Sequence, residues 1–356
     1  MVTGEIMRRL TLPSILTLVF VAQPSFAQVE PKIRVAELSP RAEAAMERGY
    51  KHLVRTQAAD GGWSQNNQVA VTSLCMMAFM VKGYFPDHEP YGEPMAKGLQ
   101  FLLTKARGNN GYIGTNMYEH GLATLALSEV WGESSRSDEI RDALKNGVGV
   151  ILRNQSARGG WGYYPDRGID YEDVSITVMQ IVALASAKEA GIGVPDETIK
   201  RAIQYVKSCQ NPNGGFGYRN ASDPKFARSA AGVTSLLMAG DRKSPEVERG
   251  LKYLHAYGGG AFNPGSAMYM QHHDWFYYGH FYAVQAMYQS SEKNYLSWYP
   301  RVRDALIDMQ DADGGWRGGI PPRVLTKIAT DRDSYCTPMS ILILGVPYRY
   351  LPIYQR

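Results

Sequence analysis

A glycine–aromatic motif returns six times in this 356-residue chain, at intervals of about 50 residues. Its clearest copies read DGGW and end at Trp63 and Trp316, and a glutamine precedes each of them, Gln57 and Gln310. A fixed period of this length is typical of repeat architectures, in which every unit contributes one supersecondary element. The six copies end at Trp63, Tyr112, Trp161, Phe216, Phe262 and Trp316.

Each motif stands between two helical patterns of different character. The segment before it carries one charged face, as in PDETIKRAIQYVKSCQ, whereas the segment after it is apolar nearly all round, as in VSITVMQIVALASAKEAG. A helix with a charged face lies at the surface, and a helix without one is buried. The pattern therefore predicts an all-α chain of twelve helices, with an inner ring of six inside an outer ring of six.

The Gln-x-x-x-Gly-Gly-Trp/Phe element resembles the QW repeat of the squalene cyclase and protein prenyltransferase β-subunit superfamily. The resemblance runs from about Glu37 to Leu351, and the segments YGHFYAVQAMYQ and VPYRYLPIYQR resemble exported bacterial squalene-cyclase-repeat proteins. It implies an α/α-toroid of six helix-hairpin repeats over residues 39–351, with a linker at 28–38 and a tail at 352–356. The period alone would also suit an open solenoid.

The first 27 residues have the pattern of an export signal. Arg8 and Arg9 form a basic region, a short apolar stretch follows from Leu10 to Gln23, and small residues stand at Ser25 and Ala27. We expect cleavage after residue 27 and an exported protein, periplasmic or extracellular. An uncleaved N-terminal anchor is the alternative.

Charge and cysteine usage exclude several classes of protein. Removing residues 1–27 takes away two arginines and one glutamate, which leaves 36 basic and 33 acidic side chains. A nearly neutral, dispersed charge does not indicate a nucleic-acid surface. Three cysteines without a CxxC spacing are neither a disulfide scaffold nor a zinc module. We predict no cofactor and no metal, and free buried thiols, although Cys75 and Cys336 could pair after export.

Aligning the apolar helices on a shared Ala-Leu-like pair reveals rows of equivalent positions near the helix starts. In a closed ring of six, the second repeat faces the fifth, and the third faces the sixth. One row, which also holds Thr177 and Thr337, places His120 opposite His280, and another places Asp173 opposite Asp333. A third row holds Ala70, Tyr118, Ser175, Arg228, Tyr278 and Tyr335. The chain therefore looks like a duplicated half with polar groups directed at a central cavity.

One buried helix carries a polar stripe, since Asp173, Thr177 and Gln180 are spaced i, i+4 and i+7. Unpaired buried polar groups cost roughly 1–3 kcal/mol each, so the stripe indicates a wet cavity. The aspartates have an equally good structural interpretation, because carboxylates are common at helix N-termini. The candidate catalytic residues are Asp173, Asp333, His120 and His280. The candidate ligand-binding residues are Tyr118, Ser175, Thr177, Gln180, Arg228, Tyr278, Tyr335 and Thr337.

The resemblance also implies where a proton donor would stand. Squalene cyclases protonate an alkene through the middle aspartate of an Asp-x-Asp-Asp element, and in the matching register that position is Ser175. The segment DYED, ending at Asp173, lies a turn too early. The zinc site of the prenyltransferases is not matched either, because no histidine follows Cys336.

Three hypotheses remain open. We favour an exported toroid that binds an apolar or isoprenoid-like molecule, or a protein partner, without chemistry. A terpenoid cyclase or isomerase would use Asp173 or Asp333 as its acid, with aromatic side chains stabilising cations. A carbohydrate-active enzyme, a polysaccharide lyase or hydrolase, would use the histidines, tyrosines and aspartates. Peripheral contact with a membrane and the oligomeric state are left open.

Overall fold

Twelve α-helices make up the part of the chain that the structure, a computed structural model, describes. That part comprises residues 38–165, 171–256, 276–317, 332–348 and 351. Over these residues there is no strand, only one isolated bridge between Gln210 and Phe216. The helices are α1 (Pro40–Thr56), α2 (Gln68–Met80), α3 (Gly92–Arg107), α4 (Met117–Val130), α5 (Ser137–Arg153), α6 (Val174–Glu189), α7 (Asp196–Ser208), α8 (Phe226–Met238), α9 (Pro245–Ala256), α10 (Phe276–Ser290), α11 (Glu292–Asp308) and α12 (Arg332–Gly345), and a 3-10 helix (Val346–Tyr348) follows.

The helices alternate between buried and half-exposed, as the sequence predicts. Nearly every side chain of α4 and α6 is buried, whereas α7 buries only Ala202, Tyr205 and Val206. The same contrast separates the even-numbered from the odd-numbered helices because the odd-numbered ones keep one charged face in water. Among the described residues, no helix combines the length and the apolar character that crossing a membrane requires.

The even-numbered helices form a closed inner ring. Each of them packs against the next, from α2 through to α12, and α12 packs against α2 again. The odd-numbered helices lie outside, and α11 also contacts α1. This closed order is the predicted α/α-toroid and excludes the open solenoid. The division into six sequence repeats stays a prediction, since segments 257–275 and 318–331 lie outside the described residues. The predicted signal peptide, the linker as far as residue 37 and the tail from residue 352 lie outside them as well.

Four copies of the motif carry a glutamine, and each of these glutamines joins its own turn to the next outer helix. The side-chain amide of Gln155 donates to the carbonyl of Gly159 in its own turn and to that of Thr198 in the first turn of α7, both at 2.9 Å. Gln57 and Gln210 make the same pair of bonds to their own turns and to α3 and α9. Gln310 donates to Gly314 and to Ala45 of α1, so the same contact joins the two ends of the toroid.

The tryptophan and the glycines of the motif complete this joint. The indole N–H of Trp161 donates to the carbonyl of Ile151 at 2.7 Å, and Trp63 and Trp316 bond the equivalent carbonyls of their own units. Gly159 has φ of 94°, and a Cβ there would lie 2.3 Å from the carbonyl oxygen of Arg201 on the next outer helix. Only glycine allows both this backbone conformation and this approach.

Replacing the glutamine at the joint between the chain ends tests its energetic role. Gln310→Ala removes two hydrogen bonds to backbone carbonyls, so we expect the free energy of unfolding to fall by about 2 kcal/mol in urea denaturation. Gln100→Ala is the control, because Gln100 bonds only exposed groups on the outer surface, and we expect a change within about 0.5 kcal/mol. An equal loss of unfolding free energy in the two variants would contradict a stabilising role of the Gln310 hydrogen bonds.

Candidate functional site

Tyrosines from three inner helices meet on the axis of the ring. The rings of Tyr278 and Tyr282 on α10 make an edge contact at 4.9 Å, and the Tyr282 hydroxyl interacts with that of Tyr118 on α4. Because α4 and α10 stand opposite each other in the ring, side chains that meet between them occupy its centre. Tyr335 of α12 interacts with the same group. We call Tyr118, Tyr278, Tyr282 and Tyr335 the axial tyrosine cluster.

Ser175 of α6 belongs to the same level, since its hydroxyl lies beside that of Tyr278. The structure therefore brings together four of the residues aligned in one row of the sequence, namely Tyr118, Ser175, Tyr278 and Tyr335. Tyr282 was missed from the sequence. It stands four residues after Tyr278, the spacing that places two side chains on one helix face, so this signal was available.

The axial tyrosines are neutral phenols. Burial is the main cause that raises the pKa of each of them well above its ordinary value of 10. A buried phenol can donate a hydrogen bond and offer the face of its ring, but it does not serve as a base near neutral pH. Tyr118 and Tyr335 keep part of their surface exposed. The centre of the ring at this level is therefore lined by aromatic side chains, and Asp173 acts electrostatically on one of them, Tyr278.

The row of Thr177 faces away from the axis. Its hydroxyl accepts the backbone N–H of Trp161 at 3.0 Å, and the hydroxyl of Thr337 accepts that of Trp316 at the same distance. Both threonines therefore hold the motif in place on the outer side of the inner ring. Gln180 has a structural contact as well, because its side-chain amide donates to the carbonyl of Met117 at the start of α4, 2.8 Å away.

His120 and His280 do not face each other across the axis, in contrast to the sequence-based expectation. The Nδ1 of His120 accepts the N–H of Ile113, and its Nε2 donates to the carbonyl of Gly147 on outer helix α5, both at 3.0 Å. Burial lowers the pKa of His120 to about 4. His120 thus accepts a backbone N–H of the turn in its unit, as the two threonines do in theirs. Its longer side chain also reaches the outer ring.

His280 occupies the equivalent place in another unit. Its ring lies 4.6 Å from that of Phe276, 5.2 Å from that of Phe226 and 6.1 Å from that of Trp298, measured between centroids. Trp298 belongs to outer helix α11, so His280 also points outward. The register alignment placed these histidines correctly along their helices, but the direction of each side chain depends on the angle at which its helix faces the ring.

Asp173 is the N-cap of α6 and also a perturbed acid. Its Oδ1 accepts the N–H of Ile176 at 2.9 Å, and its Oδ2 accepts the hydroxyl of Tyr218 at 3.2 Å. The side chain is fully buried, and this burial raises its pKa to about 6, although both hydrogen bonds act in the opposite direction. The capping interpretation is therefore observed, together with a carboxyl group that titrates near neutral pH.

Two further candidates lie elsewhere. Arg228 is near the start of α8, where its guanidinium stands over the ring of Tyr218 and bonds the carbonyl of Asp223. Asp333 falls in α12, but its side chain lies outside the described residues. Within those residues no group of three or more histidine, cysteine, aspartate or glutamate side chains could hold a metal ion. The three cysteines are buried, and in the part of the chain that the structure describes none of them forms a disulfide.

Comparisons with known proteins connect this geometry to one superfamily. The family model of the squalene-hopene cyclase C-terminal domain matches residues 123–263. A squalene–hopene cyclase of Bradyrhizobium diazoefficiens is 23% identical over 226 residues, which cover 60% of this chain and 29% of that protein. A drimenyl diphosphate synthase of Streptomyces showdoensis is 22% identical over 227 residues, covering 63% and 39%. The chain thus spans well under half the length of these relatives.

Solved structures share the toroid at low sequence identity. The type II terpene cyclase MstE from Scytonema has a TM-score of 0.54 at 12% identity, over 88% of this chain and 99% of that chain. An inactive variant of the α-1,6-mannanase GH76A of Salegentibacter sp. HEL1_6, in complex with α-1,6-mannotriose, has a TM-score of 0.62 at 10% identity, over 87% and 98%. These likenesses establish the fold.

The raised pKa of Asp173 predicts a pH dependence of stability. Its contribution is fully present below the unfolded-state pKa of 3.8 and is lost as the pH rises through the folded-state pKa of about 6. Asp173→Asn keeps a capping oxygen but cannot ionise. Relative to the wild type, we expect this variant to gain roughly 2–3 kcal/mol of unfolding free energy between about pH 4 and pH 7.5.

Urea titrations at both pH values measure this gain. Asp138→Asn is the matched control, since it removes an exposed carboxylate from the surface of α5. If the two variants change in parallel with pH, the buried Asp173 carboxyl is not the source of the dependence.

Proposed function

The chain belongs to the squalene cyclase-like α/α-toroid superfamily, and we propose that it binds an apolar, isoprenoid-like molecule at the axial tyrosine cluster. The observation that carries the proposal is the meeting of Tyr118, Tyr278, Tyr282 and Tyr335 from three helices at the centre of the ring. Aromatic side chains supply a large apolar contact area at small entropic cost, and their hydroxyls orient a ligand. A buried aromatic centre of this kind suits a hydrocarbon chain.

The same level of the ring argues against protonation of the ligand at the family's usual position. By the resemblance, the proton donor of the squalene cyclases corresponds to Ser175, which lies beside Tyr278. A serine hydroxyl is far too weak an acid to protonate an alkene. The axial groups that are described are therefore phenols and a hydroxyl, which favours binding over cyclisation.

A structural neighbour supports the class of ligand. MstE variants were solved in complex with geranylgeranyl dihydroxybenzoate as substrate and with merosterolic acid A as product. The fold that this chain shares thus accommodates an isoprenoid with an aromatic head group in that protein. We adopt a linear C20 isoprenoid as the first test ligand.

Asp173 favours a second candidate function, a terpenoid cyclase or isomerase. Its pKa of about 6 leaves roughly a tenth of the carboxyl protonated at pH 7, and the Tyr218 hydroxyl is within hydrogen-bond distance. Against it stands the engagement of both carboxyl oxygens, Oδ1 in the helix cap and Oδ2 with the Tyr218 hydroxyl. The likeness to the mannanase structures supports the alternative of a carbohydrate-active protein, but that likeness concerns only the fold.

Ligand binding to the mature protein distinguishes these functions. We expect geranylgeraniol to bind, measured by quenching of intrinsic fluorescence and by native mass spectrometry, and Tyr278→Leu to weaken binding by about tenfold, the scale of one well-packed aromatic contact. Tyr84→Leu is the control, because Tyr84 packs after the C-terminal end of α2, away from the axial cluster. We expect no hydrocarbon product by gas chromatography.

Each other outcome identifies an alternative. Product formation that Asp173→Asn abolishes would establish the cyclase or isomerase. Binding or cleavage of glycans without binding of geranylgeraniol would establish the carbohydrate-active protein. Equal binding by the wild type and Tyr278→Leu would remove the axial cluster as the site.

We also propose that the protein works outside the cytoplasm, on the evidence of the N-terminal pattern from Arg8 to Ala27. Expression of the full chain in a Gram-negative host, followed by osmotic shock and intact-mass measurement, tests this. We expect the periplasmic fraction to contain a chain that begins at Gln28. A full-length chain in the membrane fraction would indicate an uncleaved anchor instead.

A further inference from the structure

Two arginines flank one tyrosine where α6 and α8 begin. The guanidinium of Arg219 lies 5.5 Å from the centroid of the Tyr218 ring and 6.0 Å from that of Tyr171. The guanidinium of Arg228 lies 5.6 Å from the same Tyr218 ring. Tyr171 is 58% exposed. We call Tyr171, Tyr218, Arg219 and Arg228 the arginine–tyrosine rim.

The arginines of this rim have donors to spare. Arg219 is exposed, and within the described residues it makes no hydrogen bond and no ion pair. Arg228 uses one terminal nitrogen on the carbonyl and carboxylate of Asp223, but its Nε is buried without a hydrogen-bond partner in the described structure. Contact with the Tyr218 ring positions both guanidiniums, and the donors left for a ligand are those of Arg219 and the second terminal nitrogen of Arg228.

The carboxylates near the rim do not neutralise it. Asp223 is shared between Lys225 and Arg228, at 3.1 Å and 3.5 Å. The charge of Arg219 stabilises the ionised form of Asp173, but both carboxyl oxygens of Asp173 already accept hydrogen bonds. The three cations Arg219, Arg228 and Lys225 thus stand beside the two carboxylates Asp173 and Asp223. The cations outnumber the carboxylates by one.

A line of aromatic side chains connects the rim to the axis. The Tyr218 hydroxyl bonds Asp173 and interacts with that of Tyr163. Tyr163 is 42% exposed and also interacts electrostatically with Tyr118 of the axial cluster. A molecule lying on the axial tyrosines therefore has its outer end within the reach of the rim.

We propose that the ligand of this protein is an amphiphile whose oxyanionic head, a carboxylate or a phosphate ester, is bound by Arg219 and Arg228 while its apolar body lies on the axial tyrosine cluster. The proposal rests on the proposed function, to which it adds the head group. Arginine presents a planar fork that matches carboxylate and phosphate oxygens, and charge-assisted bonds of this kind are stronger than neutral ones. A neutral hydrocarbon would leave the two guanidiniums unused.

Matched ligands with one hydrocarbon chain test the head group. We compare geranylgeranoic acid, geranylgeranyl monophosphate and geranylgeraniol by isothermal titration with the mature protein at low ionic strength. We expect at least one of the two anions to bind about tenfold more tightly than the alcohol, the scale of one charge-assisted bond, and added salt to reduce that advantage. The comparison of acid with monophosphate identifies the class of oxyanion.

Two substitutions locate the contact. Arg219→Gln and Arg228→Gln should each remove most of the anion's advantage and leave the affinity for geranylgeraniol within about twofold, because the alcohol uses only the axial cluster. Arg141→Gln is the matched control, since Arg141 is an exposed arginine near the start of α5. It should change neither affinity.

The outcomes separate this inference from the function on which it rests. If the alcohol binds as tightly as both anions, or if the rim variants weaken acid and alcohol equally, the head-group site is wrong while the axial binding site stands. If none of the three ligands binds, the proposed function fails and this inference fails with it. If Arg141→Gln weakens binding of the anions as much as Arg219→Gln does, their tighter binding comes from general charge attraction and the head-group site is wrong.

Discussion

The closed ring depends on one side-chain amide that bridges two backbone carbonyls. In each of the four copies that carry the glutamine, it bonds its own turn and a carbonyl near the start of the next outer helix, and Gln310 makes that bond to Ala45 at the other end of the toroid. The turn must therefore pass very close to the neighbouring helix, which requires glycine. The tryptophan then fills the space between outer and inner helix and bonds a carbonyl of its own unit.

This joint also decides which side chains can serve a ligand. The backbone N–H that follows the glycines needs an acceptor, and the inner helix supplies one from its outward face, as Thr177, Thr337 or His120. Residues two positions earlier on the same helices then point to the axis. Two positions along a helix correspond to a rotation of about 200° around its axis. A polar side chain on an inner helix therefore belongs to the scaffold if it points outward and to the proposed site if it points to the axis.

Asp173 shows how the two uses overlap at a helix start. Asp173 caps α6 with a buried carboxylate, burial raises its pKa to about 6, and the adjacent Tyr218 and Arg219 limit that rise. The same residues border the path from the rim to the axial tyrosines. The cap at the N-terminus of one inner helix thus places a titratable group beside the proposed site, although a neutral asparagine would also supply a capping oxygen.

The sequence by itself determined the all-α class and the alternation of buried and surface helices, because periodicity and burial are local properties of each segment. The toroid was implied only by the resemblance of the motif to a known repeat, and the packing of α12 against α2 decided that the ring is closed. The sequence also aligned Tyr118, Ser175, Tyr278 and Tyr335 in one row. Only the tertiary structure decided that this row faces the axis whereas the row of His120 and His280 faces outward, since an almost wholly apolar helix has no charged face that shows how it is rotated. Arg219 lies in a loop and Arg228 in the inner helix that follows it, and both contact Tyr218. Only the tertiary structure shows this contact, because residue spacing does not encode the distance between the two arginines and the Tyr218 ring.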